Sequence, residues 1–139
     1  MKIYFAGSIR GGRDDMKLYA QVITLLSKYG KVLTEHIGDQ TLSILGEDNV
    51  TDEYIYERDI KWLDEADVVV AEITSPSHGV GYELGFAEGK KPLLCLFRNQ
   101  VGKHISAMIN GNKNFIKKTY SDLPSLELII KGFFANLSK

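Results

Sequence analysis

Two uninterrupted apolar runs, Val68-Val69-Val70-Ala71 and Leu93-Leu94-Cys95-Leu96-Phe97, constrain the fold more than any other feature of the chain. A strand with one wet face alternates apolar and polar residues. A strand that is apolar throughout is covered on both faces, as in a parallel sheet sandwiched by helices. Between the runs come the loop Glu72-Ile73-Thr74-Ser75-Pro76-Ser77 and the glycine-rich stretch Gly79-Val80-Gly81-Tyr82-Glu83-Leu84-Gly85. The order strand, loop, helix start and strand is a βα unit, and the rest of the chain alternates in the same way.

Strands are expected over residues 2–6, Lys31 to Thr34, 67–73 and Pro92 to Phe97, with Asn114 to Lys118 as a candidate fifth. A helix is expected over 14–29, with Met16, Tyr19, Ala20, Ile23 and Leu26 on one face. Asp14 and Asp15 would cap its start and Gly30 would end it. Further helices are expected over 52–65, capped by Thr51 or Asp52, from Gly79 to Gly89, and over 124–137, where Leu126, Ile130, Phe133 and Leu137 face the core. Residues 38–50 read as polar and irregular. The expected fold is α/β: a doubly wound, five-stranded, mainly parallel sheet with helices on both faces, Rossmann- or flavodoxin-like. The whole of residues 1–139 forms a single domain in this reading.

A net charge of -1 argues against a general nucleic-acid surface, which needs a clustered basic excess. No apolar stretch is long enough to span a membrane. The chain begins with strand-like Ile3-Tyr4-Phe5-Ala6, without a signal peptide, so a cytoplasmic location is expected. Cys95 lies in an apolar run and reads as a buried strand residue. No Cys/His grouping has zinc spacing, and neither a metal nor a redox cofactor is implied.

Five features could carry chemistry. Ligands of open α/β sheets bind beyond strand carboxyl ends, where Glu83 falls in an early helical turn among glycines. It is either a group acting on a bound molecule or a solvated residue on a packing turn. The first βα loop, Gly7-Ser8-Ile9-Arg10-Gly11-Gly12-Arg13, suits an anion: glycines let amides converge, and guanidinium groups bind phosphate bidentately. The alternative is a surface turn with solvated arginines; the loop's place at a strand end favours the anion. Ile55, Asp59 and Leu63 are four apart, so Asp59 sits on an apolar helix face. Such a carboxylate is a general acid, a holder of a sugar hydroxyl, or a structural group paired with Arg58 or Arg10. Tyr4 lies near the end of the first strand and either orients Glu83 or packs in the core; Ser77 either caps the Gly79 helix or binds a ligand. Two carboxylates around a sugar suggest glycosidic-bond chemistry, and an anion pole beside them suggests a sugar phosphate or nucleotide.

With these residues in view, the chain resembles the 2'-deoxynucleoside 5'-phosphate N-hydrolases, relatives of the nucleoside 2-deoxyribosyltransferases. The resemblance rests on Tyr4 to Arg13, Val32-Leu33-Thr34-Glu35-His36, Asp59 with Trp62-Leu63, and Ala66 to Glu72. It continues through Pro76-Ser77, Gly79 to Gly85, Leu94 to Arg98 and Ser106-Ala107-Met108-Ile109. It implies cleavage of a deoxynucleoside monophosphate to free base and 2-deoxyribose 5-phosphate. By the same resemblance Glu83 is the nucleophile, Asp59 the general acid, and Tyr4 the group that orients Glu83. The Gly7 to Arg13 loop and Ser77 hold the 5'-phosphate, Gly79 also binds the substrate, and His36 lies near the base. Ser106, with Ala107 and Met108 beside it, reaches the phosphate of a partner subunit, which implies a homodimer with shared sites. Residues 38–50, which would lie near the base, and Asn110 to Lys118 depart from the family pattern, and Phe86 replaces a polar residue.

Three alternatives share this framework: a deoxyribosyltransferase acting on free nucleosides, a CMP-type ribonucleotide hydrolase, and a nucleotide sensor without catalysis. The arginine-bearing loop disfavours the first, since a nucleoside carries no anion. The joint presence of Tyr4, Asp59 and Glu83 disfavours the last.

Overall fold

The computed structural model describes residues 1–9, 15–38 and 50–139. Arg10, Gly11, Gly12, Arg13 and Asp14 of the first loop, and residues 39–49, within the stretch expected from sequence to be irregular, lie outside the described residues. Five strands, β1 (Lys2–Ala6), β2 (Lys31–Val32), β3 (Val68–Glu72), β4 (Leu93–Arg98) and β5 (Ile116–Tyr120), form one sheet in the order β2-β1-β3-β4-β5. Every pairing is parallel, including β5, so the sheet is wholly rather than mainly parallel.

The helices are α1 (Met16–Leu26), α2 (Asp52–Glu65), α3 (His78–Ala87), the short α4 (Ala107–Asn110) and α5 (Leu123–Leu137). A 3-10 turn spans Glu35–Gly38. Strand alternation divides the core in two. Ile3, Phe5, Val68, Val70, Leu94 and Leu96 pack on one face against Tyr19, Val22 and Leu26 of α1 and Leu126, Ile130 and Phe133 of α5. Tyr4, Ala6, Val69, Ala71, Cys95 and Phe97 pack on the other against Leu63 of α2 and Val80, Leu84 and Ala87 of α3. Both faces being covered accounts for the apolar runs of β3 and β4. Cys95 is fully buried, and burial pushes its thiol up to about 12.

Several boundaries differ from the sequence reading for identifiable reasons. α1 is shorter than 14–29: it starts at Met16, ends at Leu26 and is closed by Ser27, not by Gly30. Gly30 instead lets the chain pass β1, since a Cβ there would stand 2.4 Å from the Met1 carbonyl oxygen. Asp15 occupies the N-cap position of α1 without capping it; its carboxylate is taken by Arg98 and Ser75. β2 ends at Val32 rather than Thr34 because the Thr34 side chain takes over the pairing. Its Oγ1 donates to the Phe5 carbonyl at 2.6 Å and accepts from the Phe5 amide at 2.9 Å. β5 begins two residues later than expected, after a turn in which Asn112 Oδ1 accepts from the Asn114 amide at 2.9 Å.

Candidate active site

Strand order reverses between β1 and β3, so the connections leave their carboxyl ends toward opposite faces and open a crevice there. A cavity of about 660 Å³ occupies it, lined by the start of the first loop, one face of α2 and the first turns of α3. Gly7, Ser8, Ile9, Asp59, Ser77, Gly79 and Glu83 all line this cavity. Residues foreseen from three separate segments therefore meet in one place.

Tyr4 is 1% exposed, and its hydroxyl donates to Glu83 Oε2. Burial, followed by the charges of Glu83 and Asp59, raises the phenol far above its ordinary range, so Tyr4 remains a donor. Glu83 is half-buried in the second turn of α3. Burial pushes its carboxyl up to about 7; the Asp59 charge adds to the rise and the Tyr4 hydrogen bond opposes it.

Asp59 lies on the α2 face that carries Ile55 and Leu63, as the four-residue spacing predicts, and its side chain is 25% exposed. Arg58 Nε donates to Asp59 Oδ1 at 2.9 Å, which makes Asp59 a member of an ion pair as well as a lining group. The Arg58 guanidinium also stacks over Trp62 at 4.8 Å and over Tyr54 at 5.7 Å. His36, in the 3-10 turn, lies 3.3 Å from Arg58 Nη2 through its Nε2 and 5.7 Å from the Trp62 ring. His36 thus stands behind Arg58 and is not among the described residues that line the cavity.

At the other pole Ser77 caps α3, its Oγ accepting from the Val80 amide at 3.3 Å. The cap leaves the His78 and Gly79 amides at the helix start, where orphan donors and the helix dipole favour an anion. Gly7 passes the Tyr19 ring so closely that a Cβ would stand 3.1 Å from it, and the Ser8 amide donates to the Tyr19 hydroxyl at 3.1 Å. The helix α1 thereby fixes the start of the first loop.

Ser106 and Met108 line a second cavity of about 390 Å³ between α3 and α4, which shares Pro76, Ser77, His78 and Val80 with the first. Met108 is 84% exposed. Within one chain, Ser106, Ala107 and Met108 do not line the cavity that holds Glu83.

Asp52, Ile55, Tyr56, Ile60 and Tyr82 also line the first cavity and were not read from sequence as site residues. Tyr56 and Tyr82 face each other across its mouth, ring centroids 6.4 Å apart. The α2 members recur at three- and four-residue steps with Asp59, a pattern that could have identified them.

The profile of the nucleoside 2-deoxyribosyltransferase family matches residues 3–128. The chain is 48% identical over 145 residues to the 5-hydroxymethyl-dUMP N-hydrolase of Esox lucius, covering 100% of this chain and 99% of the relative. It is 59% identical over 111 residues to the enzyme of that name from Rattus norvegicus, covering 78% and 68%. Among solved structures it resembles a CMP N-glycosidase of Clostridium botulinum with a TM-score of 0.66 and 14% identity, covering 96% and 99% of the two chains. At that identity the likeness concerns the fold. Among the described residues no helix is long and apolar enough to cross a membrane.

Proposed function

The chain belongs to the nucleoside 2-deoxyribosyltransferase family, and from that premise we propose that it hydrolyses the N-glycosidic bond of 2'-deoxynucleoside 5'-monophosphates. The observation that carries the reading is the convergence of Glu83, Asp59 and Tyr4 with the Gly7–Ile9 and Ser77–Gly79 segments around one cavity. The names of the relatives from Esox lucius and Rattus norvegicus support it and make 5-hydroxymethyl-dUMP the first substrate to test.

In this mechanism Glu83 attacks C1' as the C1'–N bond breaks, and the bonding electrons leave with the base. Asp59 supplies the proton the base requires. A glycosyl ester on Glu83 results. Water then attacks C1', gives its proton to Asp59, and releases 2-deoxyribose 5-phosphate and the Glu83 carboxylate. Tyr4 holds Glu83 in place and favours its ionised form. Ser77, Gly79 and the Gly7 to Arg13 loop take the 5'-phosphate, and His36 stands on the base side behind Arg58. The reading places the reaction in a single domain over residues 1–139, in the cytoplasm.

One observation favours a second assignment of roles. The Arg58–Asp59 pair suits an ionised Asp59, while burial favours a proton on Glu83. In that reading Glu83 is the acid and Asp59 the nucleophile. We place the nucleophile at Glu83 because the Tyr4 hydroxyl donates to its carboxylate and helps hold the charge.

We further propose a homodimer in which Ser106, with Ala107 and Met108, reaches the phosphate of the partner subunit. The exposure of Met108 beside a cavity contiguous with the first supports this. Light scattering would report the assembly, and Ser106→Ala would raise KM for a nucleotide without touching its own chain's Glu83.

The experiment for the reaction itself is chromatography of free base after incubation with 5-hydroxymethyl-dUMP and a panel of deoxy- and ribonucleoside 5'-monophosphates. Release from one or more deoxynucleotides, lost in Glu83→Ala, is expected. Preference for unphosphorylated deoxynucleosides in the presence of an acceptor base would assign the transferase instead. Tight binding without release would assign the sensor.

A further inference from the structure

The carboxyl end of the sheet carries a second polar cluster, on the face opposite Glu83, in which the proposed reaction has no use for any member. Asp15 is 6% exposed; its Oδ1 accepts from Arg98 Nη2 at 2.6 Å and its Oδ2 from Ser75 Oγ at 3.1 Å. The Arg98 amide donates to Thr74 Oγ1 at 2.8 Å. Glu72, fully buried at the end of β3, accepts from the Thr74 amide at 2.7 Å and from the Tyr120 hydroxyl. Every one of these bonds ends on Thr74 or Ser75, or on a residue that holds one of them.

The location of the cluster gives it a purpose. Thr74 and Ser75 lead directly into Pro76, Ser77 and the start of α3. Asp15 joins the first βα loop to α1. The turn that leads to Ser77 is therefore tied to the start of α1 through the Ser75–Asp15 hydrogen bond, and Arg98 holds the same carboxylate. Neither Asp15 nor Arg98 lines the cavity of Glu83. A charge pair of this kind costs desolvation, and removing one partner leaves the other uncompensated, so its loss is felt by whatever it holds.

We propose that Asp15 and Arg98 are positioning residues for the 5'-phosphate of the substrate, holding the Ser75–Ser77 turn against the start of α1. The proposal rests on the hydrolase reading above. It assigns the pair an effect on phosphate affinity and none on the chemical step.

The test compares KM for a deoxynucleoside 5'-monophosphate with the inhibition constant of the matching unphosphorylated deoxynucleoside, in wild type, Arg98→Met, Arg98→Lys, Asp15→Asn and Ser75→Ala. Arg98→Met and Asp15→Asn should raise KM about tenfold with kcat within about twofold. The inhibition constant of the deoxynucleoside should not change, and Arg98→Lys should recover most of the affinity. Ser75→Ala removes one hydroxyl link and should raise KM about threefold, so the test survives if Arg98→Met does not fold. An equal loss for phosphorylated and unphosphorylated ligands, or a lower Tm with KM unmoved, would overturn the proposal by showing a merely structural pair. No base release by the wild type would instead overturn the hydrolase reading, and this inference with it.

Discussion

The Tyr4 hydroxyl donates a hydrogen bond to Glu83 Oε2, joining the middle of β1 to the second turn of α3. Tyr4 is locked in the core and Glu83 reaches from the cavity wall, so a rigid donor is set against a carboxylate that burial would otherwise neutralise. The pair explains how a group pushed up to about 7 can still serve as an anion near neutral pH.

Tyr4→Phe removes the hydrogen bond that lowers the Glu83 pKa, leaving burial and the Asp59 charge to raise it further. A nucleophile works ionised, so kcat/KM should rise with pH through about 7 in the wild type. The rising limb should move up by about one to two pH units in the variant, since a hydrogen bond to a charged group contributes about 1.5–3 kcal/mol. A limb that stays in place or moves down would count against the assigned role of Tyr4.

Glu83→Gln should lower turnover by roughly 10⁴-fold or more while nucleotide binding remains measurable. It should also stabilise the fold at high pH. The Glu83 pKa is raised in the folded state, so its contribution to stability is fully present below its unfolded value of 4.5 and is lost as pH rises through about 7. Gln does not titrate. Calorimetry should show similar Tm values for wild type and variant near pH 4, and a variant Tm higher by roughly 4 °C at pH 8.

Asp59→Asn should lower kcat by about 10²–10⁴-fold, the usual contribution of a positioned acid. The loss should shrink for nucleotides whose base departs readily without a proton. A loss of equal size across good and poor leaving bases would show that Asp59 acts on the sugar rather than on the base.

Much of this was legible in the chain because it depends on neighbours in sequence. The runs of β3 and β4, the Ile55-Asp59-Leu63 face and the Ser77 cap follow from local period and local chemistry. Glu72 was not legible as a buried carboxylate: it ends an apolar run as a strand terminus would, and its partner Tyr120 is 48 residues away. Asp15 reads as a helix cap until Arg98, 83 residues on, claims it. Gly30 reads as a helix stop, whereas its role is set by the strand passing beside it.

That last difference is itself testable. Gly30→Ala would place a Cβ 2.4 Å from a backbone oxygen that cannot move without disturbing the β1–β2 pairing. The substitution should cost about 1–3 kcal/mol in urea unfolding. A glycine that merely ended α1 would tolerate alanine at a smaller cost.

The central claim is that Glu83 carries the sugar during turnover. The most direct measurement is peptide mass mapping after acid quench with a 2'-fluoroarabinosyl nucleotide, whose electron-withdrawing fluorine slows an oxocarbenium-like reaction enough for a glycosyl ester to accumulate. The account predicts a fluorinated pentose phosphate attached to the peptide bearing Glu83 and absent from Glu83→Gln. The same mass on the peptide bearing Asp59, or steady turnover of the analogue with no adduct on either carboxylate, would contradict it.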